Sequence, residues 1–223
     1  MHKATFRDWL CFDKPVACQC GSIMSDTTAP RVASLPARLL RLYGGLALYG
    51  LGIGLQVESS LGNDPWDVFH QGLAIRTGMT IGTMIIAVGA LVMLLWIPLK
   101  QKPGFGTISN VVFLGLFADA ALFVLPTPGH VAAQASYVAL GVVSIALATV
   151  LYIGAGMGPG PRDGLMTGLM RLGLSVRLGR FLIEITVLAA GWLLGGTVGV
   201  GTLVFALAIG PLTQLFTRWF PLT

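Results

Sequence analysis

The sequence has 223 residues, of which 10% are Asp, Glu, Lys or Arg, whereas an ordinary soluble domain has about 25%. The mean hydropathy is +0.81, and nine of the 23 charged residues lie within the first 41 positions. This composition excludes most soluble classes and makes the lipid bilayer the main partner of the remaining chain.

The net charge of +5 and the pI near 9.5 also suit a nucleic-acid-binding protein, but the basic residues are scattered between apolar runs. A nucleic-acid surface needs Lys and Arg clustered on one face. These residues are better explained as cytoplasmic charges of a membrane protein, so we expect no nucleic-acid partner.

The N-terminal tail, residues 1–36, alternates charges with Pro, Ser and Thr and has no apolar stretch long enough for a signal peptide. We expect a disordered cytoplasmic tail, followed by a single transmembrane domain over residues 37–223. Cys11, Cys18 and Cys20 form no disulfide framework and suit free thiols better than a metal site. Met24 is an alternative start to Met1.

Apolar runs follow the tail, and about 20 apolar residues are needed to cross a bilayer core. Together with the internal repeat described below, these runs predict six spans, at about 39–58, 81–99, 106–125, 136–157, 178–195 and 201–219.

A few polar residues interrupt these spans. Asp119 in the third span aligns with Gln214 in the sixth, and we expect both to face the bundle interior because an isolated polar group in lipid is costly. Glu184 is one turn from Arg180 and can pair with it. Three tryptophans near span ends are expected as interfacial anchors, namely Trp96, Trp192 and Trp219.

The two halves of the domain share a sequence pattern. Residues 61–73 read LGNDPWDVFHQGL and residues 157–169 read MGPGPRDGLMTGL, and five residues recur at an offset of 96. The sequence Gly-x-Gly-Thr recurs at 104–107 and 199–202, at an offset of 95. This pattern predicts repeats at about 39–126 and 136–221, each with three spans and one short segment after Pro-x-Asp.

Three spans per repeat is an odd number, so the second repeat must enter the membrane with the opposite orientation to the first. With both termini cytoplasmic, 13 of the 14 Lys and Arg residues lie on the cytoplasmic side and only Arg76 lies outside. We therefore expect an all-α multi-pass protein with inverted-topology repeats, an arrangement found in many secondary transporters.

The two Pro-x-Asp segments are too short, at about 11 residues, to cross the bilayer as helices, and each is predicted to be a half-helix. Pro65 and Pro161 suit the first helical position, while Asp67 and Asp163 lie in the first turn, beside the positive end of the helix dipole. Helix capping alone would explain these aspartates. The alternative is a binding site, because half-helix N-termini near the midplane bind ionic solutes in transporters.

The repeats differ at two positions of these segments, where Trp66 aligns with Arg162 and His70 with Met166. Asp67 and His70 share a helical face and can form a proton-sensitive pair, although a lone histidine is more often structural. Arg162 can bind an anionic group or serve as a cytoplasmic anchor. The candidate solute-binding residues are therefore Pro65, Trp66, Asp67, His70, Asp119, Pro161, Arg162 and Asp163.

Enzyme motifs are absent from the sequence, which has no Gly-x-Ser-x-Gly, His-Glu-x-x-His or phosphate loop. The three histidines are too dispersed to suggest a metal site. We expect no enzymatic activity, no metal and no cofactor.

The segments at 62–73, 100–107 and 158–166 resemble the YczE family of bacterial integral membrane proteins, within the wider YczE/YyaS/YitT group. The likeness extends from about Leu35 to Phe220. The resemblance implies a multi-pass protein of the bacterial cytoplasmic membrane, and it implies no substrate.

Two functions fit these features. The first is a secondary transporter or exporter of a small polar or ionic solute, with Asp67 and Asp163 lining the path; inverted repeats favour it. The alternative is a non-transporting scaffold or accessory protein that supports another membrane or biosynthetic system. The sequence leaves the transported solute, the direction and assembly into a homo-oligomer open.

Overall fold

A computed structural model describes residues 34–171 and 175–219, and all regular secondary structure in these ranges is α-helical. The predicted disordered tail and its cysteines lie outside the described residues, apart from residues 34–36. Eight helices follow in the described ranges: α1 (Leu35–Ser59), α2 (Pro65–Thr77), α3 (Ile81–Leu95), α4 (Phe105–Val124), α5 (Val131–Gly154), α6 (Pro161–Arg171), α7 (Val176–Leu194) and α8 (Val200–Trp219).

The six predicted spans coincide with α1, α3, α4, α5, α7 and α8 to within five residues at each end. By length and composition, α4, α5 and α8 are each able to cross a membrane. The helices α2 and α3 meet at an angle of 113° and would supply a fourth crossing if they formed one broken span. The all-helical prediction is thus confirmed for the described residues, whereas six separate crossings stay a prediction.

The outer surface carries many large apolar side chains. Phe123, Leu207 and Trp219 are 93%, 78% and 74% exposed. An apolar surface of this extent is unfavourable in water and suits contact with lipid chains. The exposed Trp192 and Trp219 are compatible with the predicted role of interfacial anchors.

The same prediction is wrong for Trp96, which is buried with 2% of its surface exposed. Its indole N–H donates a hydrogen bond of 3.1 Å to the carbonyl oxygen of Pro161. The ring packs against α6 at Gly164, where an added methyl carbon would lie 1.9 Å from the nearest ring atom. Trp96 therefore joins α3 to the start of α6.

The two half-helices pack against the opposite repeat. Helix α2 packs against α7 as well as against its neighbour α3, and α6 packs against α3 as well as against its neighbour α7. The loop before α2 accepts a hydrogen bond at the Leu61 carbonyl oxygen from the Gly201 amide, at 2.8 Å. The loop before α6 accepts the equivalent bond at the Met157 carbonyl oxygen from the Gly106 amide, also at 2.8 Å. Each Gly-x-Gly-Thr turn thus supports the half-helix of the other repeat.

Two glycines make these reciprocal contacts possible. Gly62 and Gly158 have φ angles of 113° and 126°, in a region that residues with a Cβ atom rarely adopt. An added methyl carbon would also lie 2.5 Å from the Gly199 amide nitrogen at the first position and 2.8 Å from the Thr107 hydroxyl at the second. The conformation and the close approach both require glycine.

The last two helices of each repeat are arranged differently. Helices α3 and α4 pack along each other, and we name them the closed pair. A methyl carbon added to Gly115 of α4 would lie 2.4 Å from the Gly82 carbonyl oxygen of α3. Helices α7 and α8, named the open pair, do not pack along each other in the part of the chain that is described. Gly210 of α8, which aligns with Gly115, has no atom within 4 Å of its added methyl position.

Candidate functional site

The start of α2 forms one wall of the candidate site. Asp64 caps the helix, and its Oδ1 accepts a hydrogen bond of 2.7 Å from the Asp67 amide. Pro65 occupies the first helical position, where its missing N–H leaves no bond unmade. The amide of Asp64 donates to Oε1 of the buried Gln56 on α1 at 3.2 Å. The predicted start of this half-helix is confirmed.

The start of α6 forms the facing wall. The helix begins at Pro161, and Asp163 lies in its first turn, as predicted. Oδ2 of Asp163 accepts a hydrogen bond of 2.5 Å from the Tyr152 hydroxyl of α5. Tyr152 and Gln56 are equivalent by the 96-residue offset, so each half-helix start contacts the same position of the preceding helix.

Arg162 joins the two half-helix starts. Its guanidinium lies 3.5 Å from Oδ2 of Asp64 and 3.4 Å from Oδ1 of Asp67. The same group lies over the ring of Trp66, with 5.0 Å between Cζ and the ring centroid, a distance suited to a cation–π interaction. Because Trp66 and Arg162 occupy equivalent positions in the two repeats, this contact brings the two Pro-x-Asp motifs face to face.

Asp67 lies behind this contact and is fully buried. Its Oδ1 is also 3.3 Å from Nδ1 of His70, so the predicted pairing of these two side chains is confirmed. Its Oδ2 is buried with no hydrogen-bond partner among the described residues. A buried carboxylate oxygen without a partner is costly, which sets this side chain apart from an ordinary capping aspartate.

A cavity of about 350 Å³ opens beside the two half-helix starts, within the range found for small-molecule sites. Its wall is built from α1, α2, α4, α5, α6, α7 and α8, and from the loops that precede α2 and α6. The polar and charged residues in the wall are Tyr49, Asp64, Asn110, Thr149, Tyr152, Arg162, Asp163, Arg180, Glu184, Thr213 and Gln214. Apolar and aromatic side chains supply much of the remainder, among them Trp66, Leu114, Ile145, Met166, Ile183, Phe205 and Ile209.

The predicted site residues fall into three groups. Five line the cavity: Pro65, Trp66, Pro161, Arg162 and Asp163. Two lie one layer behind it, Asp67 and His70, and His70 borders a separate small space of about 20 Å³. Asp119 lies away from the cavity.

Asp119 instead fastens the closed pair. Its Oδ1 accepts a hydrogen bond of 2.7 Å from the Gly82 amide, and its Oδ2 accepts one of 2.6 Å from the Thr80 hydroxyl. These contacts satisfy the start of α3, which explains why a carboxylate is stable there. Gln214, its counterpart in α8, lies in the cavity wall but is exposed, so it is not enclosed in the bundle interior as expected.

The expected pair of Arg180 and Glu184 is confirmed, with 2.6 Å between Nε and Oε1. Sequence reasoning explained this pair as structural, yet both side chains lie in the cavity wall. It also missed Tyr49, in the middle of the first predicted span, and Tyr152, near the end of the fourth. A hydroxyl-bearing aromatic residue within an apolar predicted span was the available signal for both.

The described residues contain no cluster of three His, Cys, Asp or Glu side chains able to hold a metal ion. The arrangement is chemically suited to holding a charged or polar organic solute, because charges, hydroxyls and amides are spread over a mainly apolar wall.

These features define an integral membrane protein with an internal, charged cavity between half-helix starts. Comparison with known sequences then gives the family. The chain belongs to the family described as "Family of unknown function (DUF6198)", which matches residues 36–218.

Three curated relatives support the same grouping. The chain is 40% identical to an "Uncharacterized protein" of Haemophilus influenzae over 77% of this chain and 79% of that protein. It is 35% identical to the "Uncharacterized membrane protein YczE" of Bacillus subtilis, over 75% and 80% of the two chains. It is 26% identical to the "Uncharacterized protein YyaS" of B. subtilis, over 78% and 90%. The resemblance to the YczE family is confirmed, and no solved structure matches.

Proposed function

We propose that this protein is a secondary transporter of a small solute in the bacterial cytoplasmic membrane, working by alternating access. The observation that carries the proposal is the cavity of about 350 Å³ at which the two half-helix starts meet and Arg162 joins them. Transporters built from repeats bind solutes in this setting, where broken helices meet at the repeat interface. The proposal involves no covalent chemistry.

The proposal includes six crossings in two inverted repeats, with both termini cytoplasmic. Its support is the reciprocal packing, in which α2 packs on α7 and α6 packs on α3. Contacts that recur at equivalent positions are what a two-fold relation between repeats produces. The distribution of Lys and Arg along the chain supports the orientation.

The difference between the closed and open pairs supports alternating access. In inverted repeats, exchanging the conformations of the two halves exchanges the side on which the cavity opens. The second state would bring α7 against α8 and separate α3 from α4. Helix α8 has Pro211 in its interior, directly after Gly210, whereas α4 has Leu116 after Gly115. Because proline removes a helical hydrogen bond, α8 is weakened where it would have to move.

A cross-linking experiment tests this exchange. Gly115 approaches Ile86 in the closed pair, with 2.7 Å between the added methyl position and Cγ1, and the equivalent residues of the open pair are Gly210 and Phe181. We expect the Phe181→Cys/Gly210→Cys variant, with Cys11, Cys18 and Cys20 replaced by Ser, to cross-link in native membranes through a short bifunctional reagent. The matched control is Phe181→Cys with Phe123→Cys, since Phe123 is on the lipid-facing surface of α4.

A transport assay tests the function itself. Thermal stabilisation by a metabolite panel first identifies a solute that binds the folded protein, since ligands of the native state raise its stability. Uptake of that solute into proteoliposomes is then expected to be abolished by Asp67→Asn and by Asp163→Asn. The control is Glu58→Gln, which removes a carboxylate bonded to Thr127, outside the cavity. Undiminished uptake in both variants would contradict the roles given to Asp67 and Asp163. Absence of cross-linking together with no uptake of any solute that binds would contradict transport and leave the scaffold alternative.

A further inference from the structure

The cavity and its immediate neighbours contain more acidic than basic side chains. Four carboxylates belong to this region, those of Asp64, Asp67, Asp163 and Glu184. Two guanidinium groups face them, those of Arg162 and Arg180. Asp64 and Asp67 are buried, whereas Asp163 and Glu184 are partly exposed. A surplus of negative charge inside a membrane is costly unless positive charge is supplied from elsewhere.

Both arginines are already engaged. Arg162 lies between Asp64 and Asp67, and Arg180 is paired with Glu184. An anionic solute would therefore have to share an arginine with a carboxylate that already neutralises it, and it would enlarge the negative surplus. The charge arrangement disfavours anions as ligands of this cavity.

Asp163 is the cavity carboxylate without a cationic partner among the contacts of the described residues. Its hydrogen bond comes from the Tyr152 hydroxyl, which is neutral. The side chain is partly exposed and lines the cavity, so it is accessible to a solute there. A primary ammonium group can donate to this carboxylate while Tyr152 keeps its own bond, because a carboxylate accepts several hydrogen bonds.

The surroundings of Asp163 suit an organic cation better than a metal ion. Tyr49 and Tyr152 line the cavity with ring centroids 6.3 Å apart, and Phe205 lies in the same wall. Aromatic faces attract ammonium groups and accept apolar bodies. The described carboxylates do not converge in a cluster able to hold a metal.

We infer that the cavity binds a small organic cation, with its ammonium group at the Asp163 carboxylate and its apolar body against Tyr49, Tyr152 and Phe205. This inference rests on the function proposed above and names the class of its solute. Arg162 then acts as the fixed positive charge that neutralises the α2 carboxylates, and does not contact the solute's charged group.

Equilibrium binding of three matched probes to the full chain in lipid nanodiscs tests this assignment. The probes are 2-phenylethylammonium, 2-phenylethanol and 3-phenylpropionate, which share an apolar body and carry a positive, neutral or negative head. We expect the ammonium probe to bind about tenfold more tightly than either of the others, the difference that one additional charge-assisted hydrogen bond supplies. Equal binding of the alcohol, or tighter binding of the carboxylate, overturns the inference without requiring any variant.

Variants then assign the charge to one residue. Asp163→Asn is expected to reduce the affinity for 2-phenylethylammonium about tenfold, to that of the alcohol, whereas Asp163→Glu retains a preference for the cation. The charge-matched control Glu58→Gln is expected to leave all three affinities unchanged, because Glu58 lies outside the cavity. Retention of the cation preference in Asp163→Asn, shown to be folded by size-exclusion chromatography, overturns the assignment.

The outcomes separate this inference from the proposed function because binding is measured without flux. Cation binding that depends on Asp163, together with no cross-link in the open pair, supports the ligand class and contradicts transport. Coupled uptake of an anion supports transport and contradicts the ligand class.

Discussion

The closed pair and the open pair are related by the 95-residue offset of the recurring sequence motifs, yet they pack differently. In the closed pair, glycines bring the two backbones together at Gly82 and Gly115, and Asp119 bonds across them. In the open pair, Gly210 faces empty space and Gln214 faces the cavity. Related sequences therefore maintain one tight helix contact and one cavity wall, and single residues account for the difference.

One glycine of the closed pair is replaced by a charged residue in the open pair. Gly89 of α3 lies against Val111 of α4, whereas its counterpart Glu184 pairs with Arg180 in the cavity wall. A charged side chain at this position prevents the close approach that glycine allows. The cavity is therefore shaped by the charged residue that replaces glycine as well as by the half-helix starts.

The largest effect that would disturb this arrangement is expected from Arg162→Ala. The change leaves Asp64 and Asp67 without their cation, and breaking a buried ion pair costs about 3 kcal/mol or more. The free energy of unfolding, measured by equilibrium denaturation in detergent micelles, reports the loss. In the open pair, Arg180→Ala breaks a pair that is more than one-third exposed and is expected to cost less than about 1 kcal/mol. Equal losses would contradict the central role given to Arg162.

A smaller effect is expected from Gly115→Ala in the closed pair. The added methyl would lie 2.4 Å from the Gly82 carbonyl oxygen, and overpacking of this kind costs about 1–3 kcal/mol. Gly210→Ala, at the equivalent position of the open pair, places its methyl in empty space and is expected to change stability by less than about 0.5 kcal/mol. The same denaturation measurement compares both variants, and similar losses would show that the two pairs are packed alike.

Asp119→Asn is expected to cost about 1 kcal/mol, because one charge-assisted bond at the start of α3 is replaced by a neutral one. Gln214→Ala in the open pair removes no hydrogen bond seen in the structure and is expected to be neutral for stability. Thermal unfolding of the two purified variants, monitored by the fluorescence of the buried Trp96, checks the order. A greater loss for Gln214→Ala would contradict the structural role given to Asp119.

An effect of the same size is expected at one of two tryptophans. Trp96→Phe loses the hydrogen bond to the Pro161 carbonyl and is expected to lower the free energy of unfolding by about 1 kcal/mol. Trp192→Phe changes a side chain that is 66% exposed and is expected to cost less than about 0.5 kcal/mol in micelles. Equal losses of unfolding free energy in the two variants would favour the predicted role of Trp96 as an interfacial anchor.

Local features of the fold could be predicted from the sequence, because they depend on neighbouring residues. Apolar runs located the long helices, and Pro65 and Pro161 marked the starts of α2 and α6. Turn spacing identified the pair of Arg180 and Glu184. These predictions needed only helix geometry and the preferences of residues at helix ends.

Contacts between the repeats could not be predicted in the same way. Helical periodicity shows that a residue faces the interior without showing which helix it meets, so the link from Arg162 to Asp64 and Asp67 was missed. Trp96 was assigned to the membrane surface because its position near a helix end suits both an anchor and a contact with α6. The sequence also could not show that Asp119 lies away from the cavity, because its position depends on the packing of α3 against α4.

The reciprocal hydrogen bonds of the two Gly-x-Gly-Thr turns also determine when the site can form during synthesis. The loop before α6 meets its partner turn at Gly106, which has already left the ribosome when Met157 is made. The loop before α2 has to wait for Gly201, 140 positions after Leu61. The start of α2, with Asp64 and Asp67, therefore reaches its final hydrogen bonding only after synthesis has reached α8. A chain that stops before α8 lacks a finished cavity.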